Sequence, residues 1–232
     1  MLVLLAGSLA LYYAWRLLGF ANPWPRRFLG GMAWLAGARV RTSGSVPKRG
    51  AILLANHLSW LDILIVAGST GSAFVAHAGL AGNRLLKWLC DMNDTVFVTR
   101  SQRGSVAAQV DQVRRALAGD GLLTIFPEGT TGDGRALLPF KSSLLSALDP
   151  PPSGVGVQPV AIDYGPAATE IAWVGAEPGI ANFFKILARA GTIPVTLRFA
   201  APFAPAEAGN RKAIAAEARE RIAAVFSAAR IG

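Results

Sequence analysis

Apolar positions dominate the start of the chain. Its first 15 residues carry no charge, and Arg16 is the one charged residue before Asn22. That stretch falls short of the ~20 residues that span a bilayer unless Arg16 snorkels and extends it. Asn22-Pro23-Trp24-Pro25 is a turn signal, and a second apolar stretch, Phe28 to Ala38, follows Arg26 and Arg27. The pattern predicts two short helices joined by a proline turn. They form a hairpin dipping into one leaflet, with Trp15, Trp24 and Trp34 near the interface. A single spanning helix is the competing reading.

From Arg39 to Gly50 the pattern reads as an edge strand and turn, placing a boundary between a membrane-associating segment, 1–38, and a catalytic body, 39–232. Beyond it, apolar runs alternate with amphipathic ones. Strands are expected near 51–56, 72–77, 95–99, 121–126, 157–163, 170–174 and 193–199. Helices are expected near 59–68, 83–91, 105–118, 141–148, 180–190 and 210–229. The helix at 105–118 places Val106, Val110, Val113 and Leu117 on one face. Such alternation predicts an α/β fold with a mixed, largely parallel sheet covered by helices.

Charge sharpens this picture. Residues 1–61 hold seven basic side chains (Arg16, Arg26, Arg27, Arg39, Arg41, Lys48, Arg49) and no acidic one, within a net charge of +9. Basic residues punctuating Leu, Trp and Phe point to an anionic membrane surface and not to nucleic acid. The positive flank favours the cytoplasmic face of the inner membrane, in a monotopic or single-pass arrangement. A lone cysteine, Cys90, excludes an internal disulfide and a cysteine-rich metal site.

Three stretches carry candidate chemistry. Asn56-His57-Leu58-Ser59-Trp60-Leu61-Asp62 follows the buried-strand pattern of Ala51 to Ala55. On an ideal helix, positions five apart lie about 140° from each other. His57 and Asp62 therefore meet only if a helix starts between them, and Ser59-x-x-Asp62 supplies a capping-box signal for that start. Asp62 would then orient the imidazole and His57 would take a proton; the plain alternative is a helix cap beside an ordinary histidine. The second stretch, Val96 to Gly104, delivers Arg100 and Arg103 at a strand's C-terminal end, and such forks suit phosphate. In the third, Phe126-Pro127-Glu128-Gly129-Thr130-Thr131, a strand ends in a turn where Glu128 and the threonines meet a polyol and Gly129 allows close backbone approach. His77, the second histidine of the chain, reads as structural. The helix 180–190, with Phe183 and Phe184, reads as core packing more than as a lipid contact.

Taken together these stretches resemble the lysophosphatidic acid acyltransferases of the glycerolipid acyltransferase family. Its marks recur in order: N-H-x-x-x-x-D at His57 and Asp62, a strand ending in Arg100, F-P-E-G-T from Phe126 to Thr130, and an apolar-Pro step at Gln158-Pro159-Val160. The residues Leu138-Pro139-Phe140-Lys141 also look like the family's segment after F-P-E-G-T. Thr99 departs from the common acidic residue before the arginine, and Gln158 from the usual Val or Ile.

The resemblance implies transfer of an acyl chain from acyl-CoA or acyl carrier protein to the free hydroxyl of lysophosphatidic acid. Another lysolipid, such as lyso-ornithine lipid, is the alternative acceptor; a membrane-surface binding protein with an inactive site is a more remote one. His57 would be the general base and Asp62 its partner. Arg100, Arg103 and Lys141 would bind the acceptor's phosphate, and Glu128, Gly129 and Thr130 its glycerol portion. No metal and no cofactor beyond the thioester co-substrate is expected.

Overall fold

The computed structural model describes residues 2–19, 22–77, 82, 84–98, 111, 113, 115, 121–150 and 154–231. Among these, helices α1 (Leu2–Leu17) and α2 (Trp24–Leu35) form the N-terminal hairpin. Strands β1 (Ala38–Ser43) and β2 (Ala51–Ala55) follow, then α3 (Leu61–Thr70), β3 (Ala73–His77), α4 (Arg84–Met92), β4 (Val96–Val98) and β5 (Leu122–Ile125). A 3-10 segment, Ser142–Leu148, precedes β6 (Gly156–Asp163). The chain closes with α5 (Gly179–Leu187), β7 (Ile193–Phe199) and α6 (Arg211–Ile231).

The seven strands form one sheet in the order β1-β7-β6-β2-β5-β3-β4. Every neighbouring pair is parallel except β6–β7. This is the mixed, largely parallel sheet that the alternation predicts. Its centre is β2, all five of whose residues are buried. A strand covered on both faces reads as a continuous apolar run. Its side chains alternate between two cores: Leu53 and Ala55 join Ala33, Ile65 and Ile186 beneath α2, α3 and α5, while Ile52 and Leu54 join Leu145, Ile214 and Ala218 beneath the 3-10 segment and α6.

Pro159 lies inside β6, where a missing N–H would break a ladder. It sits one residue before the Val160–Phe199 pair where β6–β7 pairing begins, and the Gln158 amide donates to the carbonyls of Pro159 and Ala200 instead.

Two expected elements differ. Residues 170–174 are not a strand: Ala168–Ile171 is a short helical turn continuing a 3-10 turn, Gly165–Ala167, that contains Pro166. Ile171 and Ala172 are buried from that turn, so their apolar character comes from packing and not from the sheet. The helix expected at 141–148 is wound as 3-10 with a kink at Leu145. Most of the helix expected at 105–118 lies outside the described residues; Asp111, Val113 and Arg115 are helical, and Val113 joins the second core.

Helix α2 crosses α3 at two glycines. A Cβ on Gly68 would come within 2.4 Å of Gly30 Cα, so the two backbones touch. Arg26 secures the crossing by donating from Nε to Gly68 O (3.2 Å) and from Nη2 to Ser69 O (2.5 Å), which satisfies carbonyls at the end of α3. No described helix is long and apolar enough to cross a membrane. Exposed apolar residues concentrate on the hairpin, including Val3, Leu17, Leu18 and Trp34.

Candidate active site

Three adjacent parallel strands, β6, β2 and β5, end at one edge of the sheet, and the candidate residues follow those ends. Open α/β sheets gather ligands there. Asn56 leaves β2 and clamps β6: its Nδ2 donates to Ile162 O (3.1 Å) and its Oδ1 accepts from Ile162 N–H (2.8 Å). This fixes the exit of β2 against the exit of β6.

His57 and Asp62 meet. Asp62 is fully buried, and its Oδ2 lies 2.9 Å from His57 Nδ1. The same oxygen accepts from the backbone N–H of Leu58 (2.6 Å) and Ser59 (2.9 Å). Ser59 Oγ accepts from Leu61 N–H (3.3 Å) and not from Asp62 N–H, and Trp60 precedes the regular helix, so the capping box read from the sequence forms in part, through Asp62. The Tyr164 hydroxyl donates to Asp62 Oδ1 at 2.6 Å. A carboxylate already accepting from backbone N–H groups takes an N–H from His57 as well, so the imidazole carries its proton on Nδ1 and leaves Nε2 as an acceptor. The ring stacks on Phe126, with centroids 4.0 Å apart and planes 12° from parallel, and Phe126 stacks in turn on Phe74.

The backbone around His57 is held at every polar group. His57 N–H donates to Glu128 Oε2 (3.2 Å), and His57 O accepts from Gly132 N–H (2.7 Å). Leu58 O accepts from Trp173 N–H (2.8 Å), and Ser59 O from Asp62 N–H (3.1 Å). Thr131 Oγ1 donates to Trp173 O, tying the two supporting loops together.

Glu128 is buried, and its Oε1 accepts from Leu138 N–H (3.3 Å). Both of its oxygens thus serve backbone. Burial pushes its carboxyl up to about 7, against the lowering effect of those two hydrogen bonds. Gly129 occupies φ +67, so glycine is required by the turn itself. Burial likewise raises the Tyr164 phenol well above its ordinary value, with the Asp62 charge adding to it, so Tyr164 keeps the proton it donates.

A cleft of ≈ 520 Å³ opens over this arrangement, lined among others by His57, Glu128, Arg135, Tyr164, Arg219 and Phe226. Its cations among the described residues are Arg135, on the loop after β5, and Arg219, on α6. Arg219 is oriented by donating from Nε to Leu138 O (3.1 Å) and from Nη2 to Leu137 O (3.0 Å). Neither arginine is singled out by a sequence motif. Gly129, Thr130 and Lys141 do not line the cleft; Lys141 contributes its backbone N–H to Pro127 O (2.7 Å). Arg100 and Arg103 lie outside the described residues. His77 ends β3. Cys90 is half-buried on α4, and desolvation raises its thiol. No group of three or more His, Cys, Asp or Glu among the described residues is placed to hold a metal ion.

Comparison with known proteins places the chain in a family. The Acyltransferase family model matches residues 37–163. A lyso-ornithine lipid O-acyltransferase of Brucella abortus is 32% identical over 231 residues, covering 91% of this chain and 86% of that protein. A 1-acyl-sn-glycerol-3-phosphate acyltransferase of Neisseria gonorrhoeae is 34% identical over 116 residues, covering 50% of this chain and 44% of that protein. The crystal structure of the 1-acyl-sn-glycerophosphate acyltransferase of Thermotoga maritima has the same fold, with a TM-score of 0.62 at 23% identity over 87% of this chain and 80% of that one. With its α/β sheet and the N-H-x-x-x-x-D and F-P-E-G-T stretches meeting at one sheet edge, the chain belongs to the glycerolipid acyltransferase family and is an O-acyltransferase.

Proposed function

We propose that the chain moves an acyl group from a thioester of coenzyme A or acyl carrier protein to the free hydroxyl of a lysolipid, with lyso-ornithine lipid ahead of lysophosphatidic acid as acceptor. The observation that carries the chemistry is the 2.9 Å contact between His57 Nδ1 and a fully buried Asp62 beneath an open cleft. His57 Nε2 takes the hydroxyl proton as that oxygen attacks the thioester carbonyl; Asp62 holds the tautomer and stabilises the imidazolium that forms. The tetrahedral intermediate collapses with loss of the carrier thiolate, which takes up a proton from the imidazolium.

The order of the two acceptors reverses the expectation drawn from motifs alone. Similarity to the Brucella lyso-ornithine lipid enzyme extends over 91% of the chain, while similarity to the Neisseria glycerophosphate enzyme covers 50% of it. An ornithine headgroup presents a carboxylate, and Arg135 and Arg219 on the cleft wall are the described cations suited to it. Arg100 and Arg103 are assigned to an acceptor phosphate on the motif alone. Glu128 holds the His57 backbone in this reading before it touches any polyol. The apolar hairpin, with its basic flank, brings the cleft to an anionic membrane surface.

The test is a purified-enzyme assay offering lyso-ornithine lipid and lysophosphatidic acid in parallel with both donors. The expected result is at least tenfold higher kcat/KM for lyso-ornithine lipid. His57→Ala should lower kcat about 10³-fold with the melting temperature little changed. Activity of that variant within a few-fold of the parent refutes the assigned base, and a preference for lysophosphatidic acid refutes the acceptor.

A further inference from the structure

Tyr164 stands where a hydroxyl has to be accounted for. The side chain is 1% exposed, packed within the first core beside Leu61 and Ile171. An unpaired hydroxyl buried there would be unfavourable, so a tyrosine serving only as filler would be better replaced by phenylalanine. Its O–H instead donates to Asp62 Oδ1, 102 residues away, at 2.6 Å. The other oxygen of that carboxylate accepts the three N–H groups of His57, Leu58 and Ser59. Among the described residues Tyr164 is thus the partner of Oδ1, and it comes from the exit of β6 while Asp62 sits in the first turn of α3.

Its own placement is fixed from two sides. Asn56 locks Ile162, two residues earlier, to the exit of β2. Asp163 accepts from Arg198 Nε of β7 at 3.1 Å and from Gly165 N–H at 2.9 Å, so both flanks of Tyr164 are tied down.

We infer that Tyr164 is a positioning residue for the transfer: its hydroxyl pins the rotation of the Asp62 carboxylate and draws charge from it, so that the carboxylate holds the His57 ring without competing for its proton. The inference rests on His57 acting as the base, as proposed above. It assigns a role to the exit of β6, the strand carrying the apolar-Pro step, which no motif reading gave to a side chain.

The experiment uses the full-length chain with acyl-CoA and the preferred lysolipid. Tyr164→Phe is expected to lower kcat about tenfold while KM for both substrates stays within twofold. In the His57→Ala background the same change is expected to cost nothing further. The low-field proton resonance of His57 Nδ1–H reads the mechanism directly. It should move to lower field in Tyr164→Phe, where the carboxylate becomes the stronger acceptor. It should move to higher field when 3-fluorotyrosine, a more acidic phenol of nearly the same shape, replaces Tyr164. The fluorotyrosine form keeps the packing, so it decides the matter even if Tyr164→Phe fails to fold. A stationary resonance in that form, or a kcat for Tyr164→Phe within twofold of the parent, overturns the inference. If His57→Ala retains activity the general-base reading fails instead, and the two failures are told apart.

Discussion

The His57–Asp62 loop and the α1–α2 hairpin lie on the same scaffold and are built on opposite terms. In the loop, three consecutive residues have every backbone N–H and C=O partnered, and the imidazole stacks on Phe126, which stacks in turn on Phe74. In the hairpin, α2 is held to α3 by the close approach of two glycines and by Arg26, while α1 leaves Val3 and Leu17 almost wholly exposed. The first region spends polar groups on precise placement of the proposed proton acceptor. The second leaves hydrocarbon uncovered, which in water is unfavourable and at a bilayer is not. Geometry proposed to hold a base in place is overdetermined, whereas a surface proposed only to meet lipid is not.

The sharpest way to disturb the loop without touching the imidazole is Glu128→Gln. Folding raises the Glu128 carboxyl from 4.5 to about 7, so the folded state binds this proton more tightly than the unfolded chain. Its contribution is fully present below pH 4.5 and is lost as pH rises to about 7, where it levels off. A shift of that size corresponds to roughly 3 kcal/mol. Urea unfolding at pH 5 and pH 7.5 should show the parent losing most of that, about 2 kcal/mol, relative to Glu128→Gln. The glutamine amide nitrogen cannot accept, so one of the two backbone N–H groups loses its partner and the variant is weaker by a constant amount. Parallel pH curves for the two proteins would mean that Glu128 is not the buried acid described.

The difference between the regions also explains what the sequence disclosed. The His57–Asp62 contact was readable because its determinants are three to five residues apart and the cap signal sits between them. Its supports were not: Tyr164 is 102 residues from Asp62, and Arg219 reaches carbonyls 81 and 82 residues away. No local pattern marks such partners. Lys141 follows F-P-E-G-T closely in sequence, yet the chain turns so that Arg135 lines the cleft and Lys141 offers its backbone to Pro127. Arg26, one of the seven basic residues read together as pointing to a membrane surface, caps α3, a role that no local pattern marks. The sheet was largely readable because β2 is apolar throughout and β5 is apolar except for Thr124, while the apolar run at 170–174 misled because burial beside Pro166 does not need a strand.

The glycine crossing is the tightest backbone approach at the described glycines of the hairpin. Gly68→Ala puts a Cβ 2.4 Å from Gly30 Cα and 2.7 Å from Gly30 N, both backbone atoms that cannot swing aside. The helices must separate, and about 2 kcal/mol of stability should be lost despite alanine's better helix propensity. Gly30→Ala meets its nearest atom at 3.4 Å and should cost far less, while Gly7→Ala on α1 meets nothing within 4 Å and should be neutral or slightly stabilising. Thermal melts of the three variants check the order; equal losses would mean that the crossing is not what holds α2.

The smallest effect on folding should come from the exposed side chains at the end of α1 that the proposed membrane contact would use. Leu17 is 88% exposed and Leu18 60% exposed, so neither contributes burial to the fold, and surface changes of this kind stay within about 0.5 kcal/mol. A Leu17→Ser, Leu18→Ser double variant should therefore melt with the parent. Partition into hydrocarbon is a different matter, because burying one leucine side chain is worth about 1.5–3 kcal/mol. Its affinity for vesicles containing anionic lipid should fall at least tenfold, and turnover on soluble short-chain substrates should be unchanged. Vesicle binding equal to that of the parent, at equal melting temperature, would move the lipid contact away from the end of α1 and leave the basic residues of α2 and β1 to carry it.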